Sequence, residues 1–228
     1  HPWRCPPGHV CVPSHMSALL SPELLKYSKS VIMNRQTISL GRILGISVEL
    51  DYSWFLIFGL LTWTLAVSYY PAEFTDWPTA HYWLMGAITV IMLFVSVLLH
   101  ELGHSVVALR YKIPVRRITL IIFGGVAEMG SEPPSAAAEF WMALAGPLVS
   151  VVLAIFFGLL APLVLGVELL FALISYLAVI NGMLAIFNLV PGFPLDGGRI
   201  LRAIIWGVSL CNQPTYCKSI CTLTKAIL

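Results

Sequence analysis

Leu84-Met85-Gly86-Ala87-Ile88-Thr89-Val90-Ile91-Met92-Leu93-Phe94-Val95-Ser96-Val97-Leu98-Leu99 runs without a charge into His100-Glu101-Leu102-Gly103-His104. Ionisable groups at membrane depth cost at least about 2.5–3.5 kcal/mol each on insertion scales, so a chain keeps them there only when something compensates. His-Glu-x-x-His on a helix turns two imidazoles to one face, which suits a divalent metal, and leaves a carboxylate beside them to act as a base. The stretch therefore predicts metal chemistry on a membrane helix. It is read as a span from about His81 to Leu109, ended at Arg110 and Lys112, with Pro114 blocking continuation.

Composition agrees. Of 228 residues 58% are hydrophobic and 11% charged, against about 25% charged in soluble domains, and the mean hydropathy is +0.87. A net charge of +2 gives no basis for nucleic-acid binding. The five cysteines (Cys5, Cys11, Cys211, Cys217, Cys221) lie near the termini, and their odd number and irregular spacing make no disulfide framework. Cys5, His9 and Cys11 are read as part of a loose tail rather than a metal site. Residues 1–32 carry five prolines and no apolar h-region, so they are read as a poorly ordered tail without a signal peptide. Met33 is a plausible start.

Outward from the motif, residues 37–51 suggest short strands at the membrane surface. Tyr52 to Tyr70 is a first span, with Trp54, Tyr69 and Tyr70 at interfaces and Trp63 as a packing residue. Ile118–Val126 is too short to span as a helix and is read as a strand or re-entrant hairpin. Ser131–Ser135 is a turn that starts a helix from Ala136 to Leu165, with Ala143, Ala145 and Gly146 for close packing and Pro147 and Pro162 to kink or trim it. A fourth span runs from Glu168 to Asn188, then Pro191-Gly-Phe-Pro194 breaks it before an apolar stretch to Trp206. The fold expected is thus a multi-pass α-helical membrane protein of about four to five spans, with a small β element at the cytoplasmic membrane surface. Arg and Lys follow the even spans and precede the first, while the loops at 71–80 and near Glu168 lack them. That distribution puts the N-terminus and the ionisable clusters toward the cytoplasm.

A tetrahedral catalytic zinc wants three protein ligands and an open position. Asp196, at the helix break, is the best third candidate; the alternative is a cap for a helix starting at Gly197. Asn188 beside the break is either an oxyanion donor or an ordinary interhelical hydrogen bonder. Glu128 and Glu132 are read as a solvated turn, Glu139 as favouring a helix N-terminus, and His81 as interfacial. A metal carrier built from the same ligands is disfavoured, because the spans hold few acidic groups besides Glu101 and Asp196. Intact site residues argue against an inactive scaffold.

Together, His100-Glu101-Leu102-Gly103-His104, Phe123-Gly124-Gly125-Val126 and Asn188-Leu-Val-Pro191-Gly-Phe-Pro194-Leu195-Asp196-Gly197-Gly198-Arg199 resemble the site-2 protease family of intramembrane zinc metalloproteases, over about residues 37–207. The resemblance implies zinc held by His100, His104 and Asp196, with Glu101 as general base and acid and Asn188 supporting the tetrahedral intermediate. It also implies an edge strand at Ile118–Val126, with Phe123, Gly124 and Gly125 binding an extended substrate. The partners implied are the lipid bilayer and single-pass transmembrane proteins or signal-peptide remnants, in a bacterial inner membrane. The segment between Val126 and Glu139 leaves no room for the PDZ domain that relatives often carry. Residues 208–228 do not look like the family's continuation and are expected to be a separate tail.

Overall fold

The computed structural model describes residues 3–4, 12–13, 37–121, 124–192 and 194–208. Two compact units are present, His1–Thr37 and Ile38–Leu228. In the first, Trp3–Arg4 and Val12–Pro13 pair antiparallel. Phe123 and the cysteines at both termini lie outside the described residues.

The second unit begins with strands, as residues 37–51 predict. β1 (Thr37–Ile43) and β2 (Ile46–Asp51) neighbour each other across a two-residue turn. Leu44 (φ 53°) and Gly45 (φ 81°) are both left-handed, the conformation a type I′ hairpin turn needs. β2 alternates buried and half-buried residues, the period-2 signature of one face against a core. β3 (Val115–Ile121) pairs parallel with β2, and β4 (Gly124–Met129) pairs antiparallel with β3, giving the order β1-β2-β3-β4.

Of the two readings of Ile118–Val126, strand or re-entrant hairpin, the segment takes the hairpin form, and the edge strand implied over its whole length is confined to its second arm. The chain turns back after Ile121, where Gly124 takes φ +128°, and only Gly124–Met129 forms the edge. Glu128 sits in β4 rather than in a turn. It accepts a 2.6 Å hydrogen bond from Nε of Arg117, its partner across the strands.

Among the described residues five helices follow the sequence pattern closely. α1 covers Ser53–Glu73, α2 Thr79–Arg110, and α3 Ala136–Leu160 with a 3-10 extension to Val164. α4 covers Glu168–Leu189 and α5 Asp196–Val208. The first four are long and apolar enough to cross a membrane, whereas α5 has 13 residues. Before Pro71, which has no N–H to donate, α1 widens into a π turn over Leu65–Tyr69. Ser135 caps α3 by accepting from the Ala138 amide. Pro147 lies inside α3 without ending it.

Trp63 is 56% exposed, so it faces outward instead of packing. Its position on an apolar helix makes it a lipid-facing side chain.

Two buried clusters hold the bundle. Leu65, Ala66, Tyr70, Tyr82, Met85, Val90, Phe94 and Ala172 join α1, α2 and α4. Ile46, Leu102, Ala108, Ile113, Val115, Ile118 and Met142 pack the inner face of the sheet on the C-terminal half of α2 and the start of α3. The second cluster decides function, because it lays the sheet over the turns that carry His100–His104. α3 is central: it packs on α2, α4 and α5. At Gly103 a Cβ would stand 3.0 Å from the Ala145 carbonyl oxygen, so α2 and α3 touch backbone to backbone.

Candidate metal centre

His100 and His104 sit one turn apart on α2, and both are buried. Asp196 is the first residue of α5, 9% exposed. Two segments distant in sequence, α2 and the start of α5, thus converge. Asp196 Oδ2 lies 3.1 Å from His100 Nε2 and 3.1 Å from His104 Nε2, and the two Nε2 atoms are 3.2 Å apart. Among the described residues this is the one group of three or more His, Cys, Asp or Glu donors placed to share an ion.

The hydrogen bonds behind the rings fix what the triangle can do. His104 Nδ1 is 2.7 Å from the Met142 carbonyl oxygen. A carbonyl only accepts, so Nδ1 carries the proton and neutral His104 presents a lone pair at Nε2. His100 Nδ1 is 2.9 Å from Ser150 Oγ, which is fully buried. With Ser150 accepting, His100 also turns a lone pair inward. Two imidazole lone pairs and a carboxylate oxygen then face one another at 3.1–3.2 Å, an arrangement that repels unless a cation lies among them.

The donor set is therefore one carboxylate and two imidazoles. Tetrahedral zinc with bonds of about 2.0–2.1 Å sets its donors about 3.3–3.4 Å apart, close to the spacing found. The residues present fit zinc.

Gly146 on α3 completes the cradle. A Cβ there would fall onto His104 Nε2 and stand 2.7 Å from His100 Nε2. The sequence marked Gly146 for helix packing, and its closest approach is to the imidazoles.

Glu101 is rotated off the His100–His104 line, as the helical period requires. Gly125 in β4 packs against it: a Cβ there would overlap the Glu101 side chain, 2.9 Å from Cδ. The edge strand thus runs past the carboxylate. Asn188 is half-buried, and its amide donates to the Leu184 carbonyl at 2.9 Å. That hydrogen bond holds the side chain to its own helix.

Three participants escaped the sequence reading: Ser150, the Met142 carbonyl, and the steric role of Gly146. Their positions (142, 146, 150) recur every four residues on one face of α3, matching the spacing of His100 and His104 on α2. A lone serine in Leu148-Val149-Ser150-Val151-Val152 was the available signal.

Comparison with known proteins gives consistent findings. The model of peptidase family M50 matches residues 88–172 and 167–228. Rip3 of Mycobacterium tuberculosis is 44% identical over 175 residues, covering 75% of this chain and 44% of that protein. The zinc metalloprotease MJ0392 of Methanocaldococcus jannaschii is 38% identical over 173 residues, 74% of this chain and 45% of that protein. This chain spans about half the length of the curated relatives it matches. The solved site-2 protease from Methanocaldococcus jannaschii superposes with a TM-score of 0.53 at 35% identity, covering 76% of this chain and 73% of the other.

Proposed function

This chain belongs to peptidase family M50, the site-2 proteases, and on that premise we propose that it is an intramembrane zinc metalloendopeptidase that cuts transmembrane substrates. It is an integral membrane protein. The observation that carries the reading is the convergence of His100 Nε2, His104 Nε2 and Asp196 Oδ2. His100, His104 and Asp196 are the residues that hold zinc.

Zinc bound there supplies Lewis-acid polarisation of the scissile carbonyl and activates a water nucleophile. The protein's own residues do the rest. Met142 and Ser150 orient the imidazoles through Nδ1 and keep both Nε2 atoms directed inward. Glu101 takes the proton from the attacking water on a carboxylate oxygen and passes it to the departing amide nitrogen. Asn188 serves as oxyanion donor once its amide swings off the Leu184 carbonyl.

A substrate helix hides its amides and must unwind locally before it can be cut. Among the described residues β4 has one edge with no strand beside it, to which an extended segment can add by main-chain hydrogen bonding. Gly124 and Gly125 lie in that edge, and Gly125 keeps it bare of a side chain beside Glu101. Phe123, outside the described residues, joins the substrate-binding proposal on the sequence motif alone.

The positive residues following α2 and α4 orient the site toward the cytoplasm of a bacterial inner membrane. Single-pass membrane proteins and signal-peptide remnants are the substrate class, in regulated intramembrane proteolysis.

The test is Glu101→Gln in the full chain, reconstituted in liposomes with a transmembrane substrate. Zinc content should match wild type and cleavage should fall at least about 100-fold. Cleavage at the wild-type rate would end the assignment.

A further inference from the structure

Asp196 enters the centre just after the break between α4 and α5. Among the described residues of 190–195 the backbone bonds (Gly192 to Val190, Leu195 to Gly192) are local turns, and Gly197 seats the first turn of α5 on the Leu189 and Val190 carbonyls at the end of α4. Beyond that turn α5 lies mainly on α3. Glu139 on α3 is 1% exposed, and its carboxylate is ion-paired with the Arg202 guanidinium on α5. The sequence reading gave Glu139 only a helix-dipole role; burial and pairing give it a partner. A carboxylate so enclosed is tolerated when paired and hydrogen-bonded.

The register of this pair is informative. Glu139, Met142, Gly146 and Ser150 form one stripe on α3, spaced three, four and four residues apart. Met142 and Ser150 hold the histidines, and Gly146 lies against them. From Gly146 to Glu139 is about 10 Å along α3, and from Asp196 to Arg202 about 9 Å along α5, at about 1.5 Å per residue. The two helices therefore match in length between the donor triangle and the ion pair.

We propose that the Glu139–Arg202 pair is a positioning device that locks α5 on α3 and so fixes the Asp196 carboxylate against the two imidazoles. A slip of one residue along α5 would move Asp196 by about 1.5 Å, far beyond the tolerance of about 0.2 Å on a metal–ligand bond. The pair acts on metal affinity and coordination geometry through α5, without touching the reacting atoms. The proposal rests on the zinc reading of His100, His104 and Asp196.

The test uses the purified full chain in detergent. Zinc affinity is read by competition with a chromophoric chelator, coordination geometry by the visible spectrum of the cobalt(II)-loaded protein, and folding by thermal unfolding of the metal-free protein. Glu139→Met/Arg202→Met removes both charges and leaves no orphan. It should melt like wild type, bind zinc about 10–100-fold more weakly, as lost outer-shell support does, and show an altered cobalt band. Arg202→Lys, which keeps the charge, should recover part of the affinity.

A folded double variant with wild-type affinity and cobalt spectrum overturns the proposal and leaves the pair a stability element only. If the double variant is not recovered folded, Glu139→Gln decides: weaker zinc with an intact melt supports the proposal, and unchanged affinity overturns it. Wild type that binds no zinc, or Asp196→Ala that binds as well as wild type, would instead sink the zinc reading itself.

Discussion

Gly146→Ala should abolish zinc binding while leaving the helices in place. The methyl carbon would stand 2.7 Å from His100 Nε2 and closer still to His104 Nε2, where ordinary contact begins near 3.4 Å. His100 alone must retreat by about 0.7 Å, more than three times the roughly 0.2 Å that a metal–ligand bond tolerates. Losing outer-shell support weakens metal binding about 10–100-fold, so displacing the ligands directly should cost at least about 100-fold. Intrinsic propensity acts the other way, because alanine favours a helix interior over glycine by about 1 kcal/mol. The signature is therefore a melting curve of the metal-free protein that holds, beside lost zinc. Chelator competition and metal analysis of the purified variant measure the second, and circular dichroism in detergent the first. One tightly held zinc in a folded Gly146→Ala protein would show that the ion does not sit where the imidazoles converge.

Other perturbations separate the parts of the site. Ser150→Ala leaves a buried ring nitrogen without its 2.9 Å partner, and zinc affinity should fall about 10–100-fold; an unchanged value in the same competition assay would remove Ser150 from the site. Gly125→Ala places a methyl 2.9 Å from Glu101 Cδ, so cleavage should drop about 100-fold, as a misplacement of about 1 Å can cause, with zinc content intact. A variant that cleaves normally would show that β4 does not confine the carboxylate. Stripping the metal with a chelator should stop cleavage, and zinc should restore it. Zinc at about 100 times its Kd should add about 2.7 kcal/mol to stability, seen as a raised melting temperature; a melt indifferent to zinc would contradict a folded-state site.

Much of the framework was legible because hydropathy and charge are written along the chain. The apolar runs ending at Arg110 and near Asn188 became α2 and α4 within a few residues, and the break at Pro191–Pro194 set Asp196 at a helix start. His100, His104 and Asp196 could be picked out because ionisable groups are so rare among these spans.

What stayed hidden was carried by groups with no sequence signature. The Met142 carbonyl exists at every residue, and only the fold aims it at His104. Gly146 reads the same whether it faces a helix or an imidazole. The hairpin at 118–126 was ambiguous because the β-prone run Ile118-Thr119-Leu120-Ile121 is too short to show where the chain reverses, and two glycines follow it. Asn188 shows the converse: its position fits the family pattern, yet its amide is bound to Leu184.

α3 donates no ligand, yet its one face sets the tautomer of one imidazole, braces the other, and leaves the gap between them. A homologous chain could keep every residue of the His-Glu-x-x-His and Asp-Gly signatures and still be inert, if a side chain grew at the position of Gly146. Sorting working proteases from silent relatives should therefore read the helix that holds the histidines in place as carefully as the residues that grip the ion.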